Sequence, residues 1–299
     1  MIHIKDCIEK SIRKEVVGLP VGMKCLDKLL GGLYPGEMTV ICGDANDGKT
    51  ALMIRMIHRL AIEEEIPVLI VLNGMNERTF LACMAAFYCS IITGDIHEVY
   101  VNPTCKSEVD SYWNLLEKKP LYIVHANELS EKGMESLKQT VSDYEIKAIF
   151  VDYHSWLYFH GNESSEQGLC LKSLANELQV AVIAEYRVWL IDQEDSLLLE
   201  RFNDDFACFA DNVVSIFDFA NHGIYEDKKG ENLRGCVRLK IMKHKGVVSI
   251  DEDVIFPKLC LFCRSKERAT LYEAKEMIDS NPSIKNLIDE FDCDIVCHE

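Results

Sequence analysis

Short, wholly apolar runs alternate along this chain with longer stretches whose apolar positions recur every three to four residues. The short runs lie at 38–42, 68–72, 121–124, 148–151 and 180–184, and the stretches between them at 51–65, 78–92, 128–144 and 168–178. A strand that is apolar at every position, rather than at every second one, is buried on both faces; the longer period is that of an amphipathic helix. Their alternation predicts an α/β fold with a mainly parallel central sheet flanked by helices, whose ligand loops leave the carboxyl ends of the strands. After residue 184 the rhythm changes. Runs at 213–219, 237–242 and 248–255, with little helix between them and a polar turn at 225–230, predict an antiparallel extension of the sheet.

The two ends read differently. In residues 1–16, Ile4, Cys7, Ile8 and Ile12 share one helical face, an amphipathic arm that needs an apolar partner in its own domain or in a neighbouring subunit. Residues 17–262 carry the α/β pattern. Residues 263–299 form an acidic, helical tail, and Pro282 inside it favours two helices over one. No repeat or low-complexity segment is visible.

Composition narrows the classes. With 48% hydrophobic and 27% charged residues among 299, the chain has the balance of a globular protein. No run approaches the roughly 18 apolar residues of a membrane span, and the N-terminus carries charges where a secretory signal has an apolar core, so the expected place is the cytoplasm, with no membrane partner. The 13 cysteines are scattered, many inside apolar runs, which favours reduced, buried thiols over a disulfide framework. Cys260 and Cys263 together with Cys293, Cys297 and His298 suggest zinc, but a strand at 258–263 would turn the first pair to opposite faces, and the second half lacks the CxxC spacing. A net charge of −17 argues against a broad nucleic-acid surface, though not against a strand held by a few basic loops inside a ring.

Chemistry concentrates in one octapeptide. Gly43-Asp44-Ala45-Asn46-Asp47-Gly48-Lys49-Thr50 fits the pattern G-x-x-x-x-G-K-[ST] between an apolar run and a helical one. Polyphosphate needs converging backbone N–H groups, a helix N-terminus behind them and a fixed cation. The nucleotide set is therefore Gly43 through Thr50, with Ala51 behind; Lys49 reaches the β- and γ-phosphates and the Thr50 hydroxyl ligates Mg²⁺. Asp152, after the apolar run 148–151, supplies the second metal-site carboxylate, through water. The cofactors implied are ATP and Mg²⁺. Glu77 is the nearest acid after the 68–72 run that could orient an attacking water.

The lead-in Gly18-Leu19-Pro20-Val21-Gly22, the Leu26-Asp27, Gly31-Gly32-Leu33 and Pro35-Gly36 pattern, the octapeptide, and the IFVDYHSWL and AVIAEYR strands together resemble the C-terminal motor domain of DnaB-type replicative helicases, which belong to the RecA-like ATPases. The likeness runs, fading, over 16–256. It implies a RecA-like P-loop fold and a ring, commonly a hexamer, that hydrolyses ATP between subunits while moving along single-stranded DNA. It also implies roles: a sensor position at Arg187, where the family has glutamine, and a trans-acting basic pair at Lys243 and Lys245. Departures accompany the matches. Gly74 stands where the family has its water-activating glutamate, a group typically worth ~10²–10⁴ in rate, and Glu77 is displaced by three residues. The loops expected to face DNA are acidic, with Arg201 their main cation and Trp156, Tyr158 and Phe159 as candidate stacking residues, which makes DNA binding weak or confined to a channel. Two functions remain open on these residues: a helicase or DNA translocase with altered catalytic groups, or a nucleotide-binding assembly module derived from one in which hydrolysis has decayed. A RecA-like signalling ATPase shares the lead-in and the loop but less of the later strand order.

Overall fold

The computed structural model describes residues 17–72, 74–91, 99–100, 103, 106–128, 133–152, 164–188, 206–227, 229–245, 247–248 and 253–258. The arm, the tail, the candidate zinc cysteines, Arg201, Trp156, Tyr158 and Phe159 lie outside them.

The described strands form one nine-stranded sheet: β1 Met38–Gly43, β2 Val68–Leu72, β3 Leu121–His125, β4 Ala148–Val151, β5 Ala181–Arg187, β6 Asn212–Asp218, β7 Cys236–His244, β8 Val247–Val248 and β9 Asp253–Pro257. Their spatial order is β3-β2-β4-β5-β1-β6-β7-β8, with β9 also on β7. From β3 to β6 every pairing is parallel, and β7 runs antiparallel to β6, β8 and β9. The apolar run read at 248–255 is thus two strands, each pairing with β7.

Strand alternation sorts the core into two halves. Ile41, Ile70, Phe150 and Ile183 face a cluster shared with α1 (Lys24–Leu30), α2 (Lys49–Ile57), α3 (Glu77–Cys89) and α4 (Lys106–Leu116). Val40, Val71, Ile149 and Val182 face the other side, under α5 (Gly133–Asp143) and α6 (Ser164–Leu178). Burial on both faces is what the unbroken apolar runs require. The result is the RecA-like arrangement: a parallel sheet between two helical layers, with an antiparallel extension.

Two helices were not legible in the sequence. In α1, Cys25, Leu26 and Leu30 are buried, and Gly31 ends the helix at φ +70°. In α4 only Val109 and Tyr112 are fully covered, a face too narrow to stand out. After α2 the helix widens to a π-helical segment, His58–Glu63. The lead-in closes on itself through paired bonds between the backbones of Leu19 and Leu33, each 2.8 Å. None of the described helices is long and apolar enough to cross a membrane.

Candidate nucleotide site

β1 ends at Gly43, packed so tightly against β6 that a Cβ there would stand 2.5 Å from the carbonyl oxygen of Ile216. The chain then turns through residues 44–48 and enters α2. Gly48 holds φ +103°, open to glycine without steric cost, and this turn lets the next residue begin the helix with its N–H groups facing the loop. Lys49 is that residue. It is buried, and its Nζ donates to the Asp44 carbonyl at 2.6 Å, so the loop's own backbone holds the ammonium that a phosphate oxygen would compete for. Burial lowers the lysine pKa, opposed first by the charge of Glu185.

The loop itself carries two acids. Asp44 Oδ1 accepts from the Ala45 N–H at 2.6 Å and from Arg187 Nε at 3.4 Å. Arg187 closes β5 in register with Gly43, which brings this predicted sensor residue beside the loop. Asp47 is fully buried. Its Oδ2 accepts from the Asp44 N–H at 2.9 Å, its Oδ1 from Asn221 Nδ2 at 2.8 Å, and His222 Nε2 lies 3.0 Å from the same oxygen. Asn221 Nδ2 also donates to the Ala45 carbonyl at 2.7 Å. The single turn Ala220–His222 after β6 therefore clamps the loop from the side, a connection across more than 170 residues that no local sequence signal announces.

Strand parity places the carboxylates. On β4, Ala148 and Phe150 face the α2 side, and Asp152, two residues on, follows them; on β5, Ala181 and Ile183 do the same, and Glu185 follows. Val151 pairs with Ala184, so Asp152 and Glu185 stand level on neighbouring strands beneath the start of α2. The Thr50 hydroxyl donates to Glu185 Oε2 at 3.2 Å. Asp152 is buried, and its Oδ2 accepts from the Gly74 N–H at 2.8 Å. Glu185 is 4% exposed, and its second oxygen, Oε1, has no hydrogen-bond partner among the described residues. Burial, and next the charge of Asp152, push its carboxyl pKa up to about 8.

Three predicted residues stand elsewhere. Glu77 begins α3 and pairs with His125 Nε2 at 2.6 Å, the hydrogen bond that chiefly lowers its pKa. His125 ends β3, four strands from β1, or roughly 19 Å at the ordinary inter-strand spacing. Lys243 and Lys245 lie where antiparallel β7 runs back to the start of β6; Lys243 pairs in register with Val213, itself level with Val40. That is the end of the sheet opposite the loop of the same chain, about 17 Å along β1. Lys243 Nζ donates to the Cys208 carbonyl at 2.9 Å, and burial lowers its pKa; Lys245 Nζ sits 4.8 Å from the centre of the Tyr34 ring.

Glu185 was missed as a site residue, yet it carried a signal. An acid in the wholly apolar run Ala-Val-Ile-Ala-Glu, on the parity of Ala181 and Ile183, is out of place in a strand buried on both faces unless it has work to do. The glycine turn, the helix start, Thr50 and the level carboxylates fit a polyphosphate and a hard divalent cation. Among the described residues no three or more His, Cys, Asp and Glu side chains make a metal cage. A cation here would draw on the nucleotide's own oxygens, as Mg²⁺ commonly does.

Residues 18–188, more than half of the chain, match the family model described as the DnaB-like helicase C terminal domain. The chain is 24% identical over 179 residues to the replicative DNA helicase DnaB of Treponema pallidum (strain Nichols), 58% of this chain and 41% of that protein. It is 26% identical over 191 residues to that of Leifsonia xyli subsp. xyli (strain CTCB07), 60% and 41%. It thus spans about two fifths of the length of these curated relatives. Among solved structures, one of an isolated ATPase domain superposes with a TM-score of 0.65 at 16% identity, covering 85% of this chain and 92% of that one. A DnaB-like replicative helicase studied with primase gives 0.64 at 16% identity, covering 85% and 64%.

Proposed function

The chain belongs to the family of DnaB-like helicase C-terminal domains, and from that premise we propose that it is an ATP-binding RecA-like motor module of DNA replication or a related DNA transaction. The observation that carries this reading is the loop between Gly43 and Thr50: a glycine turn into a helix start, with a buried lysine at its head and a hydroxyl directed at carboxylates. Gly43 through Ala51 would wrap the phosphates, and Lys49 would leave the Asp44 carbonyl for the β- and γ-oxygens. Thr50 and Asp152 would hold Mg²⁺, which supplies charge neutralisation on the phosphates. Arg187, half exposed beside Asp44, would exchange that partner for the terminal phosphate.

The opposite-end position of Lys243 and Lys245 supports a site completed by a neighbour. Neither lysine reaches the loop of its own chain, whereas a second copy stacked on the first would present them to it. We assign them to the adjoining subunit's nucleotide, in a ring that is commonly a hexamer in this family. Single-stranded DNA would be held weakly, inside the channel, given the net charge of −17.

The second reading, a hydrolysis-deficient assembly module, rests on Gly74 and on Glu77, which is engaged by His125 rather than by the loop. One assay separates the two: ATP hydrolysis with and without single-stranded DNA, beside Lys49→Ala. DNA-stimulated turnover lost in the variant supports the motor. ADP binding without turnover leaves the assembly module, and neither binding nor turnover sinks both.

A further inference from the structure

We infer that Glu185 is a third protein member of the divalent-metal site, acting with Thr50 and Asp152 to hold the cation that accompanies the nucleotide. This deepens the nucleotide reading above and rests on it. The carboxylate sits level with Asp152 on the adjacent strand and faces the same side of the sheet, beneath the first turn of α2. One oxygen already engages the hydroxyl that the loop motif assigns to the metal. The other is buried with no partner among the described residues, an arrangement that costs stability unless something positive meets it. Lys49 lies within electrostatic reach, but its ammonium is committed to the Asp44 carbonyl. A divalent cation between Thr50, Asp152 and the phosphate oxygens would satisfy the stranded oxygen, directly or through one water. The position also explains why an acid tolerates burial there: the row Ala181, Ile183, Glu185 is otherwise apolar, and α2 presents its positive end above it.

The cation-binding power of this loop is then divided between two carboxylates instead of resting on Asp152 alone. The test is Mn²⁺ affinity by electron paramagnetic resonance in the presence of saturating ADP, with metal-free ADP affinity measured in parallel by calorimetry. Glu185→Gln should weaken Mn²⁺ binding about 10–100-fold while metal-free ADP binds as before or better. Glu185→Leu, which suits the apolar row and should fold, must show the same loss. Unchanged Mn²⁺ affinity in either folded variant, with Asp152→Asn losing it, would overturn the role of Glu185 alone. If the unaltered protein binds ADP neither with Mn²⁺ nor without it, the nucleotide reading falls and the inference with it.

Discussion

The Gly74 amide donates to Asp152 Oδ2 at 2.8 Å, so the residue that lacks a side chain at the expected place of a water-orienting acid instead fixes the metal-site carboxylate through its backbone. The loop after β2 is thereby tied to the end of β4, its neighbour in the sheet. The position has kept its structural contact and lost its side chain. Whether turnover is limited by that loss is a matter of one carboxylate.

Gly74→Glu therefore restores an acid next to Asp152 without removing the amide that holds it. ATP turnover should rise at least tenfold, toward the ~10²–10⁴ such groups supply. Steady-state phosphate release, with Lys49→Ala as the blank, measures it. An unchanged rate would mean that another part of the site limits hydrolysis.

Asp47 is buried at the heart of the loop, and its carboxylate meets Asn221, His222 and the Asp44 N–H. Asp47→Ala strands all three, and unpartnered buried donors cost about 1–3 kcal/mol each before relaxation. A loss of ~2 kcal/mol in urea unfolding should accompany weaker ADP binding. His222→Ala should give a smaller loss of the same kind, because Asn221 remains. Equal ADP affinity in both variants would show that the clamp does not shape the loop.

At Gly43 the nearest atom to an added Cβ is backbone, the Ile216 carbonyl oxygen, and it cannot swing aside. Gly43→Ala should force β1 and β6 apart at about 1–3 kcal/mol, the usual range for overpacking. The lowered denaturation midpoint should come with reduced ADP affinity, since the loop leaves from that strand end.

Glu63 closes the π-helical turn, where a hydrogen bond with His58, and then one from Arg59, hold its pKa down to about 2 against an ordinary 4.5. A depressed carboxyl adds stability above its unfolded pKa and loses it as pH falls through the folded one. Stability from this group should thus be full near neutrality and fade between about pH 4.5 and 2. Glu63→Gln should cost up to ~1 kcal/mol at pH 7, discounted for its partial exposure, and flatten the acid limb of the curve. Urea titrations at several pH values check both.

Much of this molecule was legible because parallel strands buried on both faces leave unbroken apolar runs. Val68–Leu72 and Ala148–Val151 appear in the structure with the bounds read from the sequence, and Asp152 followed from where the second one stops. The loop was legible because phosphate binding demands glycines at fixed offsets. What stayed hidden needed long-range information. Asn221 and His222 look like turn residues until β6 carries them to Asp47. The run read as ending at Ala184 continues to Arg187, so Glu185 looked like a terminator when it lies inside the strand. Lys106–Leu116 hides its helix because the polar residues around Val109 and Tyr112 outnumber them.

Lys243→Ala should leave ADP affinity per subunit unchanged and abolish ATP turnover, because its end of the sheet faces away from its own loop. Mixing this variant with Lys49→Ala tests the assignment: a fraction of mixed assemblies would regain one intact site, and no recovery would argue against completion by a neighbour.

The separation of loop and lysines along one strand also sets the geometry of association. A surface that offers the loop must meet a surface that offers the lysines, and these are different patches of the same chain, so the contact is head to tail rather than two-fold. Such a contact always leaves an open patch at each end of a short stack. It is exhausted only when the rotation per step divides a full turn, and otherwise continues as a helical filament.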